Sequence, residues 1–432
     1  MTSSIPSHVR VAVIGGGQAG LAMSYHLKAQ GIDHVVLEKN RIAHAWKTQR
    51  WDAFCLVTPN WQCRLPGYPY QGNDPKGFML RDEIVDYVEG YARHIAAPIM
   101  EGVAVTRLKQ GEGSGFRLET SAGEMTADAV VLAISGYHVP NVPLMSDRLD
   151  GSVMQLHSSA YRNPQSLPPG EVLVVGSGQS GCQIAEDLHL SGRKVHLAVG
   201  SAPRCPRVYR GRDAVEWLDD LGQYDLPVDQ HNLKEKVRKN ANHYLTGRDG
   251  GRDIDLRKFA LEGMKLYGRL KDIQNGQIEF ADDLVKNLDS ADRVYNGICG
   301  LIDDYIARNN IDAPASPHYQ PVWQPQQTIA TLDPARAGIG TIIWTTGFRS
   351  DWSWVELPIF DGAGYPTHRR GVTSMEGIYV LGLPWLYTWG SGRFVGVGRD
   401  AEFVSQHIAA SSVPSASRSS GQPAFQLAEN AA

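Results

Sequence analysis

Cysteine is scarce in this chain of 432 residues, and the five present are scattered at Cys55, Cys63, Cys182, Cys205 and Cys299. Their odd number and wide spacing give no disulfide framework, no Cys-x-x-Cys redox pair and no His/Cys cluster with metal-ligand spacing. Reduced thiols in a cytoplasm fit that usage. Apolar runs of transmembrane length are missing, and the short polar start, Met1 to Arg10, lacks the pattern of a signal peptide. A basic excess is missing too. With 42 Lys and Arg against 46 Asp and Glu, neither nucleic acid nor an anionic membrane has an electrostatic reason to bind. The expectation is a cytoplasmic globular protein, too long for one ordinary core and therefore built from two domains.

Glycine is abundant, and two glycine-rich stretches are nearly the same text: VAVIGGGQAG at residues 11–20 and VLVVGSGQSG at residues 172–181. Strand-like β-branched runs alternate with helix-spaced segments around both. The first set reads VRVAVIGG, LAMSYHLKAQG and DHVVLEK; the second reads EVLVVGSG, CQIAEDLHLSG and KVHLAVG. Starting about 160 residues apart, these units are too distant for a solenoid repeat and suit two nucleotide-binding lobes. The expected fold is α/β, with two Rossmann-like dinucleotide-binding domains.

In the first loop Gly15, Gly17 and Gly20 hold the GxGxxG positions. They allow the tight turn, the approach of backbone N–H groups to a pyrophosphate, and close helix–strand packing. Glu38, at the end of the next strand, is placed to bond ribose hydroxyls, which suits FAD. The second loop repeats the glycines as Gly176, Gly178 and Gly181, but Ala198 or Val199 stands where the acid stood, and Arg204 and Arg207 follow. A missing acid and a nearby guanidinium favour a 2′-phosphate, so NADPH is expected there.

VAVIGGGQAG, AWKTQRWDAFCLVTP, VVLAISGYHVPNVP, LHSSAYRNP, VLVVGSGQSG and IIWTTGF, in that order, resemble the class B flavoprotein monooxygenases. That family includes flavin-containing monooxygenases, Baeyer–Villiger enzymes, N-hydroxylases and the plant YUCCA enzymes. The middle of the chain, VYRGRDAVEWL and TGRDGGRDIDLRKFALEG, resembles a bacterial branch of it. The resemblance implies that Trp46, Arg50 and Trp51 wrap the flavin and that Thr58 to Asn60 approach the isoalloxazine edge. It implies that His157 and Tyr161, an intact His-x-x-x-Tyr pair, act at the catalytic centre. Packing at a hinge is the other reading of His157. Gly382 and Gly396 fall in the closing strand and helix of the FAD domain, where the helix N-terminus would face the flavin pyrimidine. Leu149 replaces a family Phe, five residues rather than three separate Gly151 from His157, and Ser135 replaces a Thr.

The implied domains are a discontinuous FAD-binding domain, residues 1–165 and 335–408, and an NADPH-binding domain, 166–334, carrying a helical insertion at about 209–333. The small, polar residues 409–432 are expected to be a disordered tail. The implied reaction is NADPH reduction of FAD, then oxygen transfer from a C4a-(hydro)peroxyflavin to a small organic substrate, with nitrogen the favoured acceptor. Trp352, Trp354, Trp385, Tyr387 and Trp389 are candidates to line the substrate cavity, and the 209–333 segment to cap the cleft or mediate homodimer contacts. The alternative is an NADPH oxidase or redox-sensing flavoprotein that makes no oxygenated product. A disulfide reductase shares the two loops but needs a cysteine pair this chain does not have.

Overall fold

A computed structural model of the protein describes residues 4–113 and 115–411. The chain opens with β1 (His8–Ile14), α1 (Gln18–Ala29) and β2 (His34–Glu38), then α2 (Arg81–His94). Four strands follow: β3 (Ile99–Glu101), β4 (Val105–Gln110), β5 (Phe116–Thr120) and β6 (Gly123–Leu132). It leaves through β7 (Val139–Pro140) into a second unit: β8 (Met154–His157), β9 (Glu171–Val175), α3 (Gln179–Leu190), β10 (Val195–Ala198), β11 (Lys265–Tyr267), α4 (Leu284–Asn309) and β12 (Ile339–Trp344). It returns through β13 (Phe348–Arg349) to β14 (Val355–Glu356), β15 (Ile378–Val380) and α5 (Val397–Ala410).

The first sheet runs β14-β4-β5-β6-β1-β2-β3, with β15 parallel to the last residues of β6. β1 lies parallel between β2 and β6. It is apolar and buried because α1 covers one face of the sheet and is itself held by α5. The second sheet, β8-β12-β9-β10-β11, is wholly parallel. Two Rossmann-like lobes are thus present, joined by β7 and β13, which pair antiparallel as a two-stranded hinge.

The domain boundaries differ from the expected ones. β8 precedes residue 166 and β12 follows residue 334, yet both belong to the second sheet, with Val174 of β9 directly beside Ile343 of β12. The second lobe therefore spans about 150–346, and the switch points are the hinge strands. The 209–333 segment is only partly helical, and its β11 extends the sheet beside β10. Its charged text LKEKVRKNANHYL forms a single short 3-10 turn, Lys234–Lys239. The tail expectation also shifts, because α5 continues to Ala410; residues 412–432 lie outside the described residues. Among the described residues no helix is long and apolar enough to cross a membrane, and no cluster of three or more His, Cys, Asp or Glu could hold a metal.

Candidate active site

Both glycine loops sit at the carboxyl edge of their sheet. Gly15 N–H bonds Leu37 O at 2.8 Å, and Gly176 N–H bonds Ala198 O at 3.1 Å. Gly15 and Gly176 have φ of 109° and 108°, a backbone that side chains rarely adopt. A Cβ on Gly20 would lie 1.9 Å from Gly15 O, and one on Gly181 would lie 2.0 Å from Gly176 O, so α1 and α3 approach their loops as only glycine allows. Gly17 and Gly178 face open space. That is the arrangement of two phosphate cradles, each at a helix N-terminus.

Glu38 ties the first cradle together. Its Oε2 accepts Gly16 N–H at 2.7 Å and its Oε1 accepts Asn40 N–H at 2.9 Å. A carboxylate retains lone pairs beyond those two bonds, enough for ribose hydroxyls. In the second lobe Ser177 makes the corresponding tie, its Oγ accepting Gly200 N–H at 2.9 Å, with no acid present.

Other residues behave alike in the two lobes and escaped the sequence reading. Gln18 donates to Gly392 O at 3.2 Å, and Gln179 donates to Leu245 O and accepts from Leu245 N–H. Each glutamine thus joins the mouth of its loop to a segment closing the cleft. The repeated Gln in GGGQAG and GSGQSG was the available signal. Thr345, from IIWTTGF, donates beneath the second loop, with Oγ1 at 2.7 Å from Val175 O and 2.8 Å from Gly176 O.

The closing segments of the first lobe pack tightly against its glycine loop and on themselves. A Cβ on Gly382 would meet Ala19 Cβ at 2.7 Å, and one on Gly396 would meet Gly390 backbone at 2.6 Å. This tight loop delivers the N-terminus of α5 beside the start of α1. Trp46 stacks on Phe394 at 5.9 Å, and the Arg50 guanidinium lies 5.2 Å from the Trp46 ring. Burial pushes the Arg50 pKa down, and no described carboxylate pairs with it. Thr58 is half-buried at the entry to a 3-10 turn, Asn60–Gln62.

Several expected site residues do other work. Asn60 is buried, its Nδ2 donating to Asp74 O at 2.9 Å and its Oδ1 accepting Met79 N–H at 2.7 Å, so its amide braces the 74–79 loop. Gln62, two residues on, is only 2% exposed and neither amide atom has a partner. An orphaned buried amide costs about 1–3 kcal/mol, so Gln62, unlike Asn60, keeps its hydrogen-bonding capacity unused. Trp51 is buried in the core against Phe54 and Tyr161, and Phe54 in turn packs beside Trp46 and Arg50. Tyr161 is fully buried, its hydroxyl donating to Asp187 Oδ2 at 2.7 Å, so it is a core residue and not a catalytic one.

His157 is corrected in the same way. Its Nδ1 bonds Ser159 Oγ and its Nε2 bonds Gly347 O, each at 2.9 Å, and Phe348 meets the ring edge-on. Both nitrogens are spent on the hinge. Burial holds its pKa below the usual 6.5. A histidine kept neutral in the fold but free to protonate when unfolded stabilises above the unfolded pKa, and that contribution is lost as pH falls through the folded pKa. The denaturant midpoint is therefore expected to drop as pH is lowered below 6.5, with His157→Gln flattening part of the slope. Unfolding followed by tryptophan fluorescence at several pH values checks this.

The arginines assigned to a 2′-phosphate are not free to take one. Arg204 is 2% exposed, pairs with Asp292 at 2.9 Å, and is held between the Tyr295 and Tyr319 rings at 4.5 and 4.3 Å. Arg207 is 1% exposed, pairs with Asp213 at 2.9 Å, and donates to Val57 O at 2.8 Å, tying the two lobes together. Among the aromatics, Trp352 is buried in the core of the first lobe, packed beside Phe360. Trp385 and Trp389 face the cleft segment Tyr224–His243, with Tyr224 4.4 Å from the Trp389 ring, Val228 N–H bonding Tyr387 O and Arg238 bonding Trp385 O. The 209–333 region thus contributes a strap across the cleft.

All five cysteines are buried free thiols. Burial pushes Cys55 up to about 11 and Cys63 up to about 12, the reverse of what a redox-active thiolate needs.

Two glycine-rich loops, each between a parallel strand and a helix N-terminus, with no reactive dithiol among the described residues, are an arrangement suited to two dinucleotides. Residues 12–219 match the family model for pyridine nucleotide-disulphide oxidoreductase. The chain is 34% identical to an uncharacterized CzcO-like oxidoreductase of Geobacillus kaustophilus over 93% of its own length and 98% of the relative's. It is 30% identical to a probable indole-3-pyruvate monooxygenase, YUCCA4 of Arabidopsis thaliana, over 46% of this chain and 49% of the relative. Its fold matches the flavin-containing monooxygenase of Stenotrophomonas maltophilia, with TM-score 0.64, 19% identity, and coverage of 94% of this chain and 99% of that one. The protein belongs to the CzcO-like oxidoreductases and is an enzyme.

Proposed function

We propose that the protein is an FAD- and nicotinamide-dependent monooxygenase that transfers one atom of molecular oxygen to a small organic substrate. The two cradles at the carboxyl ends of the parallel strands β1 and β9 carry this reading, since one binding site for a resident cofactor and one for its reductant is what such a reaction needs. The cofactor, when bound, supplies hydride acceptance and the reaction with oxygen. Gly15, Gly17, Gly20 and Glu38 would hold its adenosine diphosphate half. Arg50, Gln62 and the N-terminus of α5 at Gly396 would take its remaining polar groups. The residues fit: a buried amide without a partner, a guanidinium without a carboxylate, and a loop whose Gly15 and Gly20 leave no room for a Cβ.

The second cradle, Gly176, Gly178 and Gly181, would hold the reduced nicotinamide dinucleotide, the strap excluding water from the meeting point. NADPH remains admissible because no acid ends β10, but with Arg204 and Arg207 committed elsewhere its advantage over NADH is expected to be small. The two coenzymes should reduce the enzyme with efficiencies within about tenfold, or 1.4 kcal/mol, as anaerobic reduction at varied coenzyme concentration would show. Nitrogen is the acceptor atom we propose, on the family resemblance alone. The test of the whole reading is direct: the purified protein should carry about one FAD per chain, released by heat, and a nicotinamide coenzyme should bleach it. A colourless protein that takes up no added FAD would refute it.

A further inference from the structure

The deeply buried arginines of this chain face carboxylates. Arg204 meets Asp292, Arg207 meets Asp213, and Arg257 meets Asp289 and Asp292. Isolated charge inside a protein is costly, and the fold supplies a counter-charge wherever it buries a guanidinium for structure. Arg50 and Arg393 depart from this rule, and Arg50 is already assigned to the cofactor. Arg393 is half-buried, with no described carboxylate in ion-pair range. Its guanidinium lies over the Trp389 ring at 3.5 Å, donates to Trp389 O, and donates to Asn242 Oδ1 at 2.9 Å. Burial pushes its pKa down to about 10, well inside the range where it remains charged at neutral pH.

Its surroundings say what the missing counter-charge is attached to. His243 is exposed to the cleft yet so enclosed by protein that burial, with Arg393 adding to it, pushes its pKa down to about 4; it is a neutral donor or acceptor. Tyr224, itself buried, backs the half-buried Trp389 ring at 4.4 Å. The phosphates of the two dinucleotides would have their own cradles at Gly15–Gly20 and Gly176–Gly181; Arg393 bonds neither loop, although its neighbour Gly392 accepts from Gln18 of the first. It sits on the closing loop of the first lobe where the strap from the second crosses over.

We infer that Arg393 recognises the carboxylate of an organic substrate whose apolar or aromatic body lies along Trp389, with Asn242 and His243 completing the polar end. This deepens the proposed function and rests on it. A charge-assisted bidentate contact of this kind contributes roughly 1.5–3 kcal/mol, about ten- to hundredfold in affinity.

The test is calorimetric titration of the FAD-loaded protein with phenylacetate and with its neutral analogue phenylacetamide. The wild type should bind phenylacetate at least about tenfold more tightly. In Arg393→Gln that preference should vanish while phenylacetamide binding stays within about twofold. Equal binding of the two probes by wild type overturns the inference without any variant being needed. So does an Arg393→Gln protein that keeps its preference for the acid, or one whose loss falls on NADPH and NADH binding, which would make the anion a dinucleotide phosphate. A protein that holds no FAD defeats the proposed function and this inference together; an FAD-loaded protein indifferent to the acid defeats the inference alone.

Discussion

Gly20→Ala is expected to purify colourless. The added Cβ would stand 1.9 Å from Gly15 O, a backbone atom that cannot rotate away, so α1 must withdraw from its loop or the loop must open. Either movement separates the helix N-terminus and the loop N–H groups from the pyrophosphate they would hold together. Overpacking against backbone costs roughly 1–3 kcal/mol in the fold, and losing the cradle should weaken FAD binding by at least about a hundredfold, or 2.7 kcal/mol. Gly181→Ala is the internal control. Its Cβ would meet Gly176 O at 2.0 Å and Thr345 Oγ1 at 2.7 Å, so the same injury falls on the second lobe. That variant should stay yellow but require far more NADH or NADPH for reduction. Bound-flavin absorbance and anaerobic reduction, measured on both variants, separate the lobes; equal loss of colour in the two would contradict the assignment of one cofactor to each.

Arg204→Ala should lower stability and leave coenzyme preference alone. The substitution strips the cation from Asp292, which is 7% exposed, and empties the space between Tyr295 and Tyr319. Breaking a buried ion pair costs about 3–5 kcal/mol. The lower end applies here because Arg257 still reaches Asp292 at 2.8 Å. The denaturant midpoint should fall accordingly, while the ratio of NADPH to NADH efficiency stays within about twofold. A collapse of that ratio with unchanged stability would restore Arg204 as a 2′-phosphate ligand.

What the sequence made legible was local. Strand, glycine turn and helix N-terminus occupy about ten consecutive residues, so both cradles could be read from GGGQAG and GSGQSG, as could Glu38 one helix later. The misread residues are those whose environment comes from afar. Arg204 follows β10 as a phosphate ligand would, but its partner Asp292 lies 88 residues on, in α4, and only the folded chain shows the charge already matched. Arg207 is the exception: its partner Asp213 is six residues away, but its bond to Val57 O comes from the other lobe. Trp51 and Tyr161 carry family motifs, yet they are buried and pack on each other. Asn60 was one turn position from Gln62, and sequence cannot tell which of two amides keeps its hydrogen bonds for a ligand. The boundaries slipped because β8 and β12 are separated by about 180 residues and join the second sheet only through pairing with each other and with β9.

The central claim is that this cleft brings a reduced flavin and oxygen together for transfer to a substrate. Rapid-mixing absorbance tests it most directly: the FAD-loaded protein is reduced anaerobically with a nicotinamide coenzyme, then mixed with oxygenated buffer while peroxide is assayed. A transient spectrum, neither oxidised nor reduced, is expected before the yellow colour returns. Immediate recovery of the oxidised spectrum with one peroxide released per flavin would contradict it and make the protein an oxidase.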